Sequence, residues 1–156
     1  KYVASGRIKV PEKKDLAERL GLIYDGISEI VHKYNPTEFA VEKIFVSKSA
    51  SSALKLGQAR GAAIIAGSRQ GAILSEYEAR KIKQAVVGTG AATKKQVQLM
   101  VKSLLALSEL PKEDAADALG IAICHIHTQF SLGFISGKEK TLGYSRGRYS
   151  QKVEKA

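Results

Sequence analysis

Short apolar segments alternate with longer amphipathic segments along this chain, and this alternation limits the possible fold more than any other feature. Residues 14–34 carry apolar side chains at the i, i+3, i+4 spacing of a helix, and Asn35-Pro36 ends that pattern. Three short apolar segments predict strands, at residues 2–10, 37 to about 42, and 72–77. Strands that alternate with helices predict an α/β fold, with a mixed or parallel central sheet flanked by helices.

Further helices follow in the second half of the sequence. One is predicted to end near Gly67, a short basic helix or turn covers 78–88, and another helix begins after Thr93, where Thr93 and Gln96 form a capping-box pattern. Pro111 opens the last helix, over about 112–130. From Ser131 the chain is rich in Gly, Ser and basic residues, which predicts a domain over 1–130 and a flexible basic tail over 131–156.

Composition narrows the partners. The chain has 25 Lys and Arg residues and 15 Asp and Glu residues, which gives a formal charge of +10. This surplus favours an anionic partner, most of all a nucleic acid and next an anionic membrane surface. Its apolar stretches are too short to span a membrane, so no membrane partner is expected. The single cysteine, Cys124, excludes an internal disulfide framework and is typical of a cytoplasmic protein.

Three carboxylates are candidates for chemistry. Asp114 and Asp117 stand three positions apart, so a helix would place them on one face. Their spacing leaves two interpretations open, because Asp is also favoured in the first turn of a helix. Glu42 stands at the end of a predicted strand, where sites form in α/β folds. Together the three oxygen-donor side chains would suit Mg²⁺, and two such ions about 4 Å apart can assist phosphodiester hydrolysis.

Basic and aromatic residues accompany these carboxylates. The glycine-rich segment GTGAATKK at 88–95 lacks the full dinucleotide or P-loop pattern, but it places Lys94 and Lys95 at a helix start that could hold a nucleic-acid phosphate. Phe45 is either a core aromatic or a side chain that stacks on bases. Gly57 and Gly61 allow close helix packing, within the chain or in a homodimer. Further basic residues that could hold a polyanion are Lys43, Lys48, Arg60, Lys81 and Lys83.

Three long segments resemble a known family. They are VEKIFVSKSASSALKLGQARGAA, KIKQAVVGTGAATKKQVQLMV and KEDAADALGIAICH, and together with the flanking sequence from about Tyr2 to His127 they are similar to the RuvC family of Holliday-junction resolvases. The resemblance implies an RNase H-like fold. It also implies a homodimer that makes paired symmetric nicks in four-way junction DNA, depends on Mg²⁺ or Mn²⁺, and works with the RuvA–RuvB branch-migration complex.

The resemblance also implies roles for individual residues. Glu42, Asp114 and Asp117 match the family's metal-binding carboxylates, and Phe45 matches its junction-contacting phenylalanine. Lys83 and Lys94 match its lysines that face the DNA and the scissile phosphate. These matches favour the metal-site interpretation of the two aspartates.

The sequence departs from the family at one point. The IDPG-type motif, whose aspartate is a metal ligand in the family, does not occur in this chain, which starts at Lys1, so the first strand is expected to be missing. Three functions therefore remain open at the level of sequence. The first is a structure-selective endonuclease acting in recombination and DNA repair. The second is an inactive junction-binding protein, and the third is a general basic duplex-binding module.

Overall fold

The computed structural model describes residues 1–44, 50–136, 142–145 and 148–151. Helices and strands alternate through its first half, which confirms the predicted α/β class. In chain order the elements are α1 (Leu16–Tyr34), β1 (Glu38–Glu42), α2 (Ala50–Ser68), β2 (Ile73–Tyr77), α3 (Ala79–Val87), α4 (Lys94–Leu104), α5 (Glu113–Ser136), β3 (Leu142–Ser145) and β4 (Arg148–Gln151).

Local signals explain the bounds of α1. The Asp15 side chain accepts a hydrogen bond of 2.8 Å from the Glu18 backbone N–H and so caps the first turn. At the other end Asn35 adopts a left-handed conformation, with φ of 44°, and its N–H donates to the Val31 carbonyl at 2.8 Å. Pro36 cannot continue the helix. The predicted helix over 14–34 is therefore confirmed to within two residues.

The central pair of strands is parallel. β1 and β2 lie in register from Glu38 opposite Ile73 to Glu42 opposite Tyr77. The sheet between these described strands is thus parallel and not mixed, while β3 and β4 form a separate antiparallel pair. The carboxyl ends of β1 and β2 meet at one edge, and this edge carries Glu42.

The predicted strand over residues 2–10 is wrong. This segment is irregular and mostly exposed, and it pairs with none of the described strands. A strand is stable only when its N–H and C=O groups find a ladder partner, and the loose alternation of these residues does not supply one. Instead, Ile8 packs against α1 at Gly26, where an added Cβ would lie 2.9 Å from the Ile8 side chain.

Helix α2 crosses β1 closely. An added Cβ at the buried Gly67 would lie 3.0 Å from the Phe39 ring, so a larger residue would fit only if the ring shifted. Just beyond the end of α2, the Gln70 amide nitrogen donates to the Ser28 carbonyl of α1 at 3.3 Å. Helices α1 and α2 also pack against each other. These contacts hold α2 in place beside the end of β1.

Helices α3, α4 and α5 enclose the main apolar core. Its fully buried centre is Val101, which packs with the other core residues Val86, Ala92, Val97 and Ile123. The start of α4 has the predicted capping box: the Thr93 N–H donates to the Gln96 side chain at 2.8 Å, and Thr93 Oγ1 accepts from the Gln96 N–H at 3.2 Å. This cap determines where Lys94 begins the helix.

Small residues bring α5 close to its neighbours. Ala116 is fully buried, and an added Cβ at Gly120 would already touch Ile82 and Val86 of α3 and Val97 of α4, at 3.4 to 3.8 Å. The first turns of α5 therefore lie beside both helices that carry the candidate lysines. This packing gives the aspartates of α5 their position.

The end of α5 differs from the prediction. The helix continues to Ser136 instead of ending near residue 130, and β3 and β4 lie within the predicted tail. Two compact units are present, Lys1–His125 and Ile126–Ala156. The division into a nuclease domain over 1–130 and a flexible tail stays a prediction. None of the helices in the described ranges is long and apolar enough to cross a membrane.

Candidate active site at the carboxyl end of the parallel strands

Glu42 is the last residue of β1 and lies beside the end of β2. Its register partner is the buried Tyr77, and the next residue, Lys43, donates its backbone N–H to the Tyr77 carbonyl at 2.8 Å. The strand end is therefore held by a ladder-type hydrogen bond immediately after Glu42. The structure confirms the predicted position of Glu42 at a strand end.

The surroundings of Glu42 raise the pKa of its carboxyl group above the ordinary value of 4.5. Partial removal from water is the largest cause, and the negative charge of Asp117 adds to it. The positive charges of Lys83 and Lys94 act in the opposite direction. β1, α3, α4 and α5 therefore bring two carboxylates and two ammonium groups close enough to interact.

The two aspartates of α5 have different surroundings. Asp114 lies in the first turn, where the helix dipole favours a negative charge, and its Oδ2 is 3.3 Å from Nη1 of Arg7. Asp117 lies one turn further on, so the helix start does not account for it, and it interacts with Glu42. The helix-start interpretation therefore fits Asp114, whereas Asp117 belongs to the cluster around Glu42.

The donor set fits a divalent cation bound by few protein ligands. Within the described ranges, no three His, Cys, Asp or Glu side chains form a group that could hold a metal ion. Mg²⁺, however, is commonly held by one or two carboxylates, with water and substrate phosphate oxygens in the other positions. Glu42 and Asp117 supply two mutually repelling carboxylates, and a cation between them would relieve that repulsion. Asp114 could join them by exchanging its exposed contact with Arg7 for the metal.

The two candidate catalytic lysines come from different helices. Lys83 is half-buried on α3, and Lys94 is the exposed first residue of α4. Nζ of Lys94 lies 3.7 Å from Oε2 of Glu113, the residue before Asp114. Because exposed ion pairs of this kind are weak, the Lys94 ammonium can exchange Glu113 for a phosphate oxygen.

The remaining predicted DNA-contacting residues are spread more widely. Nζ of Lys43 lies 3.8 Å from Oε1 of Glu78, and Nζ of Lys81 lies 5.2 Å from the centre of the Tyr77 ring. Lys95 is exposed on the first turn of α4. Arg60 is engaged inside the protein, with the Glu42 carbonyl and the Glu76 carboxylate. Phe45 and Lys48 lie outside the described residues.

One polar contact beside the site is not evident from the sequence. The buried hydroxyl of Tyr77 lies 2.8 Å from Nδ1 of His125, and Nε2 of His125 lies 3.3 Å from Glu38 Oε2. This contact joins the end of β2 to α5. The only sequence signal was a histidine in an apolar helical run, which by itself is typical of many core positions.

Replacing Glu42 by glutamine should stabilise the metal-free protein near neutral pH. The folded-state pKa of Glu42 lies above its unfolded value, so its contribution to stability is full below the unfolded pKa and is lost as pH rises through the folded pKa. Glutamine cannot ionise and avoids this loss. We therefore expect a higher melting temperature for Glu42→Gln than for the wild type at about pH 7, and no such gain at about pH 4.

Thermal unfolding followed by circular dichroism, with a chelator present, measures this effect. Glu109→Gln, which changes an exposed carboxylate on the loop after α4, is the matched control and should show no gain. A gain of equal size at both pH values would contradict the electrostatic explanation.

Comparison with known proteins places most of this chain in one family. The family model described as "Crossover junction endodeoxyribonuclease RuvC" matches residues 1–125. Proteins named crossover junction endodeoxyribonuclease RuvC from Saccharophagus degradans and Teredinibacter turnerae are 56% and 57% identical to the chain; each match covers 94% of this chain, and 83% and 84% of the respective relative.

Solved structures agree. RuvC from Thermus thermophilus, solved in complex with a Holliday junction substrate, is 34% identical, with a TM-score of 0.74 over 80% of this chain and 76% of that one. The same protein in a second structure gives a TM-score of 0.71. The fold is accordingly RNase H-like, and the chain belongs to the RuvC family of crossover junction endodeoxyribonucleases.

Proposed function

We propose that this chain resolves four-way DNA junctions by paired symmetric nicks, as a divalent-metal-dependent endodeoxyribonuclease of recombination and repair. The observation that carries the proposal is the cluster of Glu42 with Asp117, Lys83 and Lys94, in a chain of the RuvC family. A relative with the same fold was solved with a Holliday junction substrate. The inactive junction-binding alternative is not favoured, because the relatives are named as endonucleases.

In this proposal, the carboxylates bind the metal and the basic residues bind the DNA. Glu42 and Asp117, joined by Asp114, would hold Mg²⁺, or Mn²⁺ in its place, with two ions per site. Bound there, such cations would supply Lewis-acid chemistry and would lower the pKa of a water molecule. Lys83 and Lys94 would face the scissile phosphate and stabilise the charge that develops when water attacks phosphorus in line. Lys43, Lys81 and Lys95, with Phe45 and Lys48, would contact the DNA.

Paired nicks require two active sites, and one face of α2 supports a homodimer. An added Cβ at Gly57 or at Gly61 would meet nothing within 4 Å, so among the described residues these glycines serve no close packing. Leu54, which lies three positions before Gly57 on the same face of the helix, is exposed over 64% of its surface. A second copy packed on α2 would cover these residues. Cooperation with RuvA–RuvB and a cytoplasmic location complete the proposal and rest on family membership and the single cysteine.

The proposal is tested with an end-labelled four-way junction and a linear duplex of the same sequence. With Mg²⁺ or Mn²⁺, we expect symmetric nicks on two opposed strands of the junction, none on the duplex, and none with a chelator. Light scattering of the complex should give two chains per junction.

Two results would contradict the proposed function. A junction that is bound but never nicked, with either metal, would favour the inactive binding protein. Equal affinity for junction and duplex at the same salt concentration would favour a general duplex-binding module, because phosphate contacts alone do not distinguish the two.

A further inference from the structure

Arg60 of α2 lies against the strand ends that carry the candidate site. Its Nε donates a hydrogen bond of 3.1 Å to the backbone carbonyl of Glu42, and its guanidinium forms an ion pair with Glu76. The side chain is only 25% exposed. The positive charge of Arg60 is therefore already paired inside the protein, next to the backbone of the residue whose carboxylate lies in the site.

The contacts of Arg60 connect three elements at one edge of the sheet. Glu42 ends β1, and Glu76 is the register partner of Val41 and the penultimate residue of β2. Arg60 itself lies on α2, which the close contact between Gly67 and Phe39 holds on β1. A planar guanidinium with several donors suits such a bridge, because it can bind a carbonyl and a carboxylate in fixed directions at the same time.

We propose that Arg60 is a positioning residue for Glu42, and not the DNA contact that its charge and its place in the sequence predict. By holding the Glu42 carbonyl and the end of β2, Arg60 limits the directions in which the Glu42 carboxylate can point. Displacement of a reacting group by about 1 Å can cost 10²-fold in rate, so this restraint matters for cleavage. The effect on cleavage rests on the proposed nuclease function, whereas the effect on the strand end does not.

Three test variants and one control variant separate positioning from DNA contact. Arg60→Met removes both contacts, and Glu76→Gln removes the charge of its partner. Lys55→Met, on an exposed lysine of the same helix, is the matched control for the loss of one positive charge. Arg60→Lys keeps the positive charge but removes the planar guanidinium that can bind two acceptors at once. Circular dichroism and melting temperature identify any variant that fails to fold; should Arg60→Met fail, Arg60→Lys and Glu76→Gln carry the test.

Positioning predicts a specific set of results. Arg60→Met and Glu76→Gln should each slow single-turnover nicking by about 10- to 100-fold, with junction affinity unchanged within about twofold. The amide hydrogen of Lys43, which bonds the Tyr77 carbonyl just after Glu42, should exchange faster in both variants, while the core amide of Val101 should not. Lys55→Met should leave nicking and Lys43 exchange as in the wild type.

DNA contact predicts the opposite. Arg60→Met would then weaken junction binding and leave Lys43 exchange unchanged, and Glu76→Gln would strengthen binding by releasing the guanidinium. Either result would overturn the proposal. If the wild type itself made no nicks, the proposed function would fail, but Lys43 exchange in Arg60→Met and Glu76→Gln would still decide whether Arg60 holds the strand end.

Discussion

Glu42→Gln and Asp117→Asn are each expected to slow single-turnover nicking of a four-way junction by about 10³-fold, because metal-assisted charge stabilisation contributes several kcal/mol and each 1.4 kcal/mol is tenfold in rate. These two carboxylates are the pair that the structure brings together, and the amide substitutes keep their shape but remove the charge that would hold a cation. Junction affinity should stay within about threefold of the wild type, since basic residues supply most of the affinity for DNA.

Asp114→Asn should also abolish cleavage and leave junction binding intact, if Asp114 exchanges Arg7 for the metal. Quantitative denaturing gels with enzyme in excess measure the rate, and a filter or gel-shift assay measures affinity. Glu109→Gln is again the control. Normal cleavage by Asp114→Asn would show that Asp114 only stabilises the start of α5 and is not a metal ligand. Normal cleavage by Glu42→Gln or Asp117→Asn would contradict the site itself.

Lys83→Met and Lys94→Met form the second prediction. Each should lower the nicking rate at saturating enzyme by about 10²-fold, the usual cost of removing one group that stabilises transition-state charge. Both ammonium groups interact with Glu42, so they lie near the position that a phosphate would take on a cation bound by the carboxylates. Methionine is chosen because it retains most of the length and apolar stem of lysine.

The neighbouring Lys95 gives the contrast for this prediction. It is exposed on the first turn of α4 and is absent from the charges that act on Glu42. Lys95→Met should weaken junction affinity and lower its salt dependence by about one unit of slope, as expected for one lost phosphate contact. A loss of affinity without a loss of rate in Lys83→Met or Lys94→Met would assign that lysine to DNA binding alone.

Metal dependence connects these predictions to the pKa of Glu42. In the absence of metal, partial removal from water and, after it, the nearby charge of Asp117 make ionised Glu42 costly and raise its pKa. Divalent cations should therefore stabilise the wild type against heat more than they stabilise Glu42→Gln, because binding to the folded state alone raises its stability.

Much of the local structure was predictable from the sequence by itself. The Asp15 cap, the Asn35-Pro36 stop and the Thr93–Gln96 capping box depend on hydrogen bonds between residues a few positions apart, so their patterns predict helix bounds directly. The position of Glu42 at a strand end follows from a short apolar run with a charge after it. The charge surplus and the three family-like segments indicated the DNA substrate and the family.

Only the tertiary structure decided which charges become partners. From the sequence, Asp114 and Asp117 have the same predicted role. In the structure, α5 packs through Ala116 and Gly120. As a result Asp117 interacts with Glu42, whereas Asp114 contacts Arg7. Likewise, the positive charge of Arg60 predicted a contact with DNA. In the structure, the packing of α2 on β1 places the Arg60 side chain against the Glu42 carbonyl and the Glu76 carboxylate. Residues 2–10 alternate like a strand but pair with none of the strands that the structure describes. The same physical reason explains the aspartates, Arg60 and residues 2–10. Hydrogen bonds and ion pairs between distant residues depend on how helices and strands pack, and local sequence patterns do not predict that packing.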